Sequence, residues 1–309
     1  MKISVIIATH DRAPQLGELL RSLTRQIVPG CHEILIADNG TPQPSPIPGD
    51  ILVACHLHDP APGKCRVQNR AIAHALGEII VLVDDDLIVA PDYLAAVERF
   101  FSDHPEFSAM KGKVLPAQDP AATAGENWPY MDLPIVDHGP HVCEVDGVLG
   151  ANMAFRSNVF STIGLFDERL GPGAGGHEED TEISARIRAA GLRIGYCPGA
   201  LVYHEVDPAR ADRARFVRIA RERGRCRMVH QRHSRGKVYT SLAYSGLRLG
   251  LARMLRAPVA RIAREDRRFA TALGMLDALH PNQRLPPGSG QEEAGRRYEQ
   301  FQASGNRSQ

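Results

Sequence analysis

Two kinds of apolar patterning alternate over the first hundred residues. Short unbroken apolar runs read as strands buried on both faces: ISVIIA at 3–8, EILIA at 33–37, ILVAC at 51–55 and IIVLV at 79–83. Between the first two, Leu16, Leu19, Leu20 and Leu23 fall at the i, i+3, i+4, i+7 spacing of a helix with one face on a sheet. Residues 64–76 carry a weaker helical pattern that stops at Gly77. Another helix opens near Pro91 and Asp92 and turns Leu94, Val97 and Phe101 to one side. Strands alternating with helices predict an α/β domain on a mostly parallel sheet flanked by helices.

The pattern then loosens. Residues 41–49 are proline-rich and predict a loop. Residues 107–148 predict loops and short strands beside a cleft, with the single tryptophan, Trp128, as a core or rim residue or a sugar-stacking ring. The glycine-rich GPGAGG at 171–176 delivers Glu178, Glu179, Asp180 and Glu182 to the start of a helix ending near Ala190. Residues 191–195 turn into a short strand, and ALVY at 200–203 reads as a separate strand ending at His204.

A strongly basic helix is expected over 210–227, and another amphipathic helix over 247–262. The organisation expected is a catalytic domain at 1–215, a basic helical extension at 216–285 and a disordered polar tail at 286–309.

Composition narrows the chemistry by exclusion. A formal net charge of +1 gives no global attraction to nucleic acid, so a nucleic-acid partner is not expected. Six scattered cysteines without CxxC spacing argue against a zinc site and against a disulfide scaffold. With no signal-peptide pattern after Met1 and no apolar run long enough for a span, a cytoplasmic location is expected.

The candidate chemistry sits where strands end. IIVLV runs directly into Asp84, Asp85 and Asp86, and ligands of open α/β sheets bind beyond the carboxyl ends of strands. Clustered carboxylates repel without a counter-ion, and they are hard oxygen donors suited to Mg²⁺ or Mn²⁺. The plainer reading is a solvated turn. His204 is a second candidate ligand at a strand end, and imidazole favours Mn²⁺ over Mg²⁺. The acids at 178–182 would also serve simply as partners of a helix dipole.

In order, the motifs VIIATHDR, ADNG, QNRAIAHALGEIIVLVDDD, GANMAFR, GGHEEDTEISARIRAAG and ALVYHEVD resemble the family 2 glycosyltransferases, which have the GT-A fold. The resemblance covers roughly residues 3–224. It implies that Thr9, Asp11 and Arg12 line a nucleotide pocket with Asn69, that Asp38 bonds the base, that Asp84 contacts the ribose, and that Asp85 also binds the nucleotide-sugar. Asp86 and His204 would hold Mn²⁺ or Mg²⁺. Asp180 would be the catalytic base, with Glu179 the second choice. Gly150, Asn152 and Trp128 would lie on the sugar and acceptor side. Gln68 departs from the family's usual arginine before Asn69, and His10 stands where an aromatic is common.

The activity this implies is inverting, metal-dependent transfer of a sugar from a nucleotide-sugar, UDP-linked by expectation, to an acceptor hydroxyl. The acceptor would be a glycan, a lipid-linked molecule or a small molecule. Two alternatives remain, an inactive nucleotide-sugar-binding scaffold and a sugar-phosphate nucleotidyltransferase. The latter would need a glycine-rich loop after the first strand, and ATHDRAPQL has no glycine before Gly17. The arginine-rich segment has three readings: a solvated helix face, contact with anionic phospholipid headgroups that would place the protein peripherally on a membrane, or contact with a substrate diphosphate.

Overall fold

In the computed structural model, the residues described are 1–28, 30–40, 44–47, 53–231 and 233–279. The chain runs β1 (Ile3–Thr9), α1 (Ala13–Thr24), β2 (His32–Asp38), β3 (Cys55–His58), α2 (Lys64–His74), β4 (Ile79–Asp84), β5 (Leu87–Val89) and α3 (Tyr93–Asp103). It continues through β6 (Phe107–Pro116), α4 (Pro120–Ala124), a 3-10 turn (Gly125–Tyr130), β7 (Cys143–Glu144), β8 (Asn152–Arg156), α5 (Val159–Ile163), α6 (Glu179–Ala189) and β9 (Arg193–His204). Three long helices follow: α7 (Arg213–His230), α8 (Arg235–Met254) and α9 (Val259–Asp277).

One sheet organises the molecule, in the order β3-β2-β1-β4-β8-β6-β9-β5, with β7 also paired to β9. The pairings β2–β3, β1–β2 and β1–β4 are parallel, as the βα alternation predicts. Beyond β4 the sheet is mixed, because β8 runs antiparallel to both β4 and β6. That double reversal restores the direction, so β6 and β9 run with β1 and β4.

Strand β4 shows why its sequence is uninterruptedly apolar. Ile79, Val81 and Val83 join the core under α1 and α3, whereas Ile80 and Leu82 join the core with Ile72, Phe160 and Ile183 on the opposite face.

Four expectations are corrected. Residues 107–116 form one ten-residue strand at the centre of the sheet, hidden in the sequence because Lys111, Gly112 and Lys113 interrupt its apolar run. Residues 193–204 are a single strand, not two. The pairing with β6 jumps from Gly112–Cys197 to Lys113–Leu201, so Pro198 and Gly199 lie in a bulge where a ladder bond is not needed. The amphipathic run at 247–262 breaks at Arg256, which has φ of 48°, and α9 restarts after Pro258. The third strand is Cys55–His58, later than expected; Ile51 and Leu52, most of the 41–49 loop and the tail from 286 lie outside the described residues.

The three C-terminal helices are stitched by ion pairs to buried acids on α9. Asp266 binds Arg213 of α7 and Arg253 of α8, Glu265 binds Arg248, and Asp277 binds Arg221. Helices α7 and α9 touch backbone to backbone: a side chain at Gly224 would collide with the Thr271 carbonyl, and one at Gly274 with the Arg221 carbonyl.

Candidate active site

The carboxyl ends of β1, β2, β4 and β9 share one sheet edge, since these four strands run in one direction. Thr9 pairs in register with Asp38, and Ala8 with Asp84. After β4 the chain crosses the edge, and β5 pairs antiparallel with the end of β9, Leu87 opposite His204. The acidic triplet is therefore the bridge between two distant strands, and this carries Asp86 to His204.

Asp85 and Asp86 are buried. Thr9 Oγ1 donates to Asp85 Oδ2 at 2.8 Å, and Arg12 Nη1 reaches Asp85 Oδ1 at 3.1 Å and Asp86 Oδ2 at 3.2 Å. Arg210 Nη2 lies 3.1 Å from the same Asp86 oxygen. Burial pushes the Asp85 carboxyl up to about 6, against the pull of Arg12. Burial acts on Asp86 in the same direction, but His204, Arg12 and Arg210 outweigh it and hold this carboxyl below the usual range.

The other Asp86 oxygen, Oδ1, faces His204 Nε2 at 3.6 Å. His204 Nδ1 is 2.7 Å from the Glu205 carbonyl. A carbonyl can only accept, so Nδ1 carries a proton there, and Nε2 is the ring nitrogen turned toward Asp86. One carboxylate oxygen and one imidazole nitrogen at this spacing suit joint ligation of Mg²⁺ or Mn²⁺, whose remaining positions oxygen atoms of a phosphate or water would fill. No cluster of three or more His, Cys, Asp or Glu groups poised to hold a metal occurs among the described residues.

Across the cleft, Glu178 with φ of 74° precedes helix α6, directly after the glycine-rich turn. Asp180 Oδ2 accepts the Gly150 N–H at 3.0 Å, and Oδ1 accepts the Thr181 N–H at 2.7 Å. Glu179 is buried behind it. Desolvation pushes its carboxyl up to about 7, opposed by Lys64, whose Nζ is 3.9 Å away. Lys64 also donates to Asp84 at 2.5 Å. Burial disfavours its charge, yet Asp84 and Glu179 hold the ammonium above the usual lysine range.

Of the residues singled out from the sequence, Thr9, Arg12, Asp84, Asp85, Asp86, Gly150, Glu179, Asp180 and His204 line one cleft of about 1040 Å³. Five do not. Asp38 turns into its own loop, accepting from Gly40 N, Ser45 N and His56 Nε2, and its neighbour Asn39 faces the cleft instead. Asn69 clamps Phe166 through both ends of its amide, joining α2 to the loop after α5. Asn152 is fully buried, its amide taken up by Tyr93 Oη and the carbonyls of Lys113 and Ala200. Asp11, in a left-handed turn with φ of 54°, and Trp128 on the 3-10 turn are also absent from the lining.

The arginine-rich helix, for which contact with a substrate diphosphate was one of three readings, supplies the roof. Arg215, Ile219, Arg223 and Arg227 fall at four-residue steps along α7 and all line the cleft, joined by Arg267 and Thr271 of α9. Arg227 and His230 also bind Glu178, tying this roof to the start of α6. The basic run was legible, but its inward face was not, because arginines surround α7 on nearly every side. Gln68, the departure from the family pattern, is fully buried outside the cleft with neither amide atom partnered among the described residues.

A family model described as "Glycosyltransferase like family 2" matches residues 1–226. Among curated relatives, the glucosyl-dolichyl phosphate glucuronosyltransferase of Haloferax volcanii is 24% identical over 224 residues, spanning 69% of this chain and 72% of that protein. The O-antigen chain rhamnosyltransferase RfbN of Salmonella typhimurium is 26% identical over 213 residues, 66% of either chain. Among solved structures, the mannosyltransferase PcManGT of Pyrobaculum calidifontis, in complex with GDP-Man and Mn²⁺, aligns with a TM-score of 0.50 at 18% identity, over 99% of this chain and 79% of that one. TarS of S. aureus in complex with UDP aligns with a TM-score of 0.50 at 17% identity, over 91% of this chain and 92% of that one. These neighbours share the GT-A fold. The chain belongs to the glycosyltransferase-like family 2 and is an enzyme of that glycosyltransferase type.

Proposed function

We propose that the cleft binds a nucleoside diphosphate-sugar together with a divalent cation and transfers the sugar, with inversion, to an acceptor hydroxyl. The observation that carries this reading is the meeting of Asp86 and His204 at one sheet edge, with Asp180 across the same cleft. Asp86 and His204 would hold Mn²⁺ or Mg²⁺, with Mn²⁺ favoured by the imidazole. Such a cation neutralises the charge that develops on a departing diphosphate.

The chain's own residues supply the rest. Arg12 and Arg210 already converge on Asp86 and would turn to the diphosphate oxygens. Thr9 fixes Asp85, and Lys64 fixes Asp84 on the nucleotide side. Asp180 takes the acceptor proton: its carboxylate reaches the cleft and is aimed by the Gly150 N–H. Glu179, buried against Lys64, acts on Asp180 as a neighbouring charge rather than as the base. A base facing the side opposite the leaving group gives single displacement, hence inversion.

The solved neighbours hold UDP in one case and GDP-Man in another, which supports a nucleoside diphosphate donor of either base. UDP remains the first expectation. Glycan, lipid-linked and small acceptors all fit an open cleft. A catalytic unit at 1–215 is the proposed division; its boundary falls in the first turn of α7, and the rest of α7 with α9 completes the roof. The six free thiols support a reducing, cytoplasmic setting.

Thermal-shift titration with UDP-, GDP- and dTDP-sugars, with Mn²⁺ or with chelator, tests the reading. Stabilisation by one donor that needs Mn²⁺ and is lost in Asp86→Asn is the expected result. Absence of stabilisation by every donor would overturn it.

A further inference from the structure

Helix α8 packs Val238, Ser245, Leu249 and Ala252 inward and leaves an apolar strip outside. Leu247 and Met254 are each 72% exposed, Leu255 61% and Tyr244 60%, with Leu251 between them. At 100° per residue, the positions of α8 within about 60° of Leu247 on either side are Gly236, Thr240, Ala243, Tyr244, Gly250, Leu251 and Met254. None is charged. An exposed helix face this long and free of charge is uncommon on a solvated protein.

Its surroundings have one sign of charge. Residues 224–264 contain ten Arg and Lys and not a single Asp or Glu. Arg248 and Arg253 are neutralised by Glu265 and Asp266 on α9. Arg235 and Lys237 in the first turn of α8, Arg256 just beyond its last turn, and Arg261 and Arg264 on α9 are exposed and have no acidic partner among the described residues.

We propose that the outer face of α8 docks on the surface of a bilayer containing anionic phospholipid. The apolar strip would enter the headgroup boundary and the exposed cations would meet lipid phosphates. No helix among the described residues is long and apolar enough to cross a membrane, so the helix would lie on the surface. Charge argues against a second copy on this face, because two such strips placed together would oppose cation to cation. This places membrane contact on α8 rather than on α7, where it was one of three readings of the sequence: apart from Arg218, the α7 arginines are bound to Glu178, Asp132, Asp266 and Asp277 or line the cleft.

The full chain should co-float with phosphatidylcholine vesicles carrying about 30 mol% phosphatidylglycerol, weakly with phosphatidylcholine alone, and less at high salt. The double variant Leu247→Glu, Leu251→Glu should lose at least about tenfold of this binding at unchanged melting temperature. With Trp128→Phe as background, Leu247→Trp should blue-shift on vesicle addition. No flotation with anionic vesicles, undiminished binding by the double variant, or an unshifted Trp signal would overturn the proposal. So would a wild-type dimer that the double variant turns to monomer without any vesicle binding, since a second copy would then be the occupant.

Discussion

His204 Nε2 stands 3.6 Å from Asp86 Oδ1, with the proton of its ring committed to the Glu205 carbonyl. The pair exists because β5 leaves the acidic triplet to run beside the end of β9, placing Leu87 opposite His204. Asp86→Asn and His204→Phe should each weaken Mn²⁺ binding by more than about tenfold, read as free Mn²⁺ by electron paramagnetic resonance in the presence of nucleoside diphosphate. Wild-type affinity in both variants would remove these residues from the metal site.

Lys64 joins the half-buried Asp84 to the buried Glu179. Lys64→Met leaves those carboxylates uncompensated and should cost about 3 kcal/mol of stability. Denaturant unfolding of the metal-free protein checks this, and part of the loss should return at low pH as Glu179 takes up a proton.

Glu178 and Glu179 are adjacent and shifted oppositely. Burial raises Glu179 to about 7, so the unfolded chain ionises it first and stability falls as pH rises from about 4.5 toward 7. Burial also opposes the charge of Glu178, but His230 and Arg227 hold its carboxyl below the usual range. Its contribution is therefore present above the unfolded glutamate pKa and lost as pH falls through the folded one. Melting curves of the metal-free protein across pH 4–8 should flatten on the neutral side in Glu179→Gln and on the acid side in Glu178→Gln. Unchanged profiles would contradict both assignments.

The roof depends on the close crossing of α7 and α9. Gly274→Ala places a methyl against the Arg221 carbonyl and should cost about 2–3 kcal/mol, because backbone rather than a flexible side chain must yield. Arg223 and Arg227 would shift with α7, so donor affinity should fall alongside melting temperature. A stable variant with unaltered donor binding would mean that the roof is dispensable.

Gln68 buries an amide with neither end partnered among the described residues. Gln68→Met should stabilise the protein by about 1 kcal/mol, measured by denaturant midpoint. A loss would mean that the amide is satisfied in solution.

Strands β1, β2 and β4 were legible where an unbroken apolar run met polar turn residues, as at Ile79 to Asp86. Strand β6 was not, because a strand between two others tolerates Lys111 and Lys113 when their charged ends emerge at its margin. The acidic and histidine positions of the cleft were readable from strand ends. The inward turn of Asp38 and the burial of Asn152 were not, since both depend on partners far away in sequence: His56 for one, Tyr93 and Ala200 for the other. The arginines of α7 showed their charge but not their direction, which follows acids distant in sequence: Asp266 and Asp277 of α9 for Arg213 and Arg221, Asp132 for Arg223 and Glu178 for Arg227.

The most direct test of the account is nucleoside diphosphate release from the donor that binds, comparing wild type and Asp180→Asn, each with Mn²⁺ and with chelator. The account predicts chelator-sensitive release by wild type and a loss of about 10²-fold or more in Asp180→Asn with donor binding intact. Release that continues unchanged in Asp180→Asn, or that is indifferent to chelator, would contradict it.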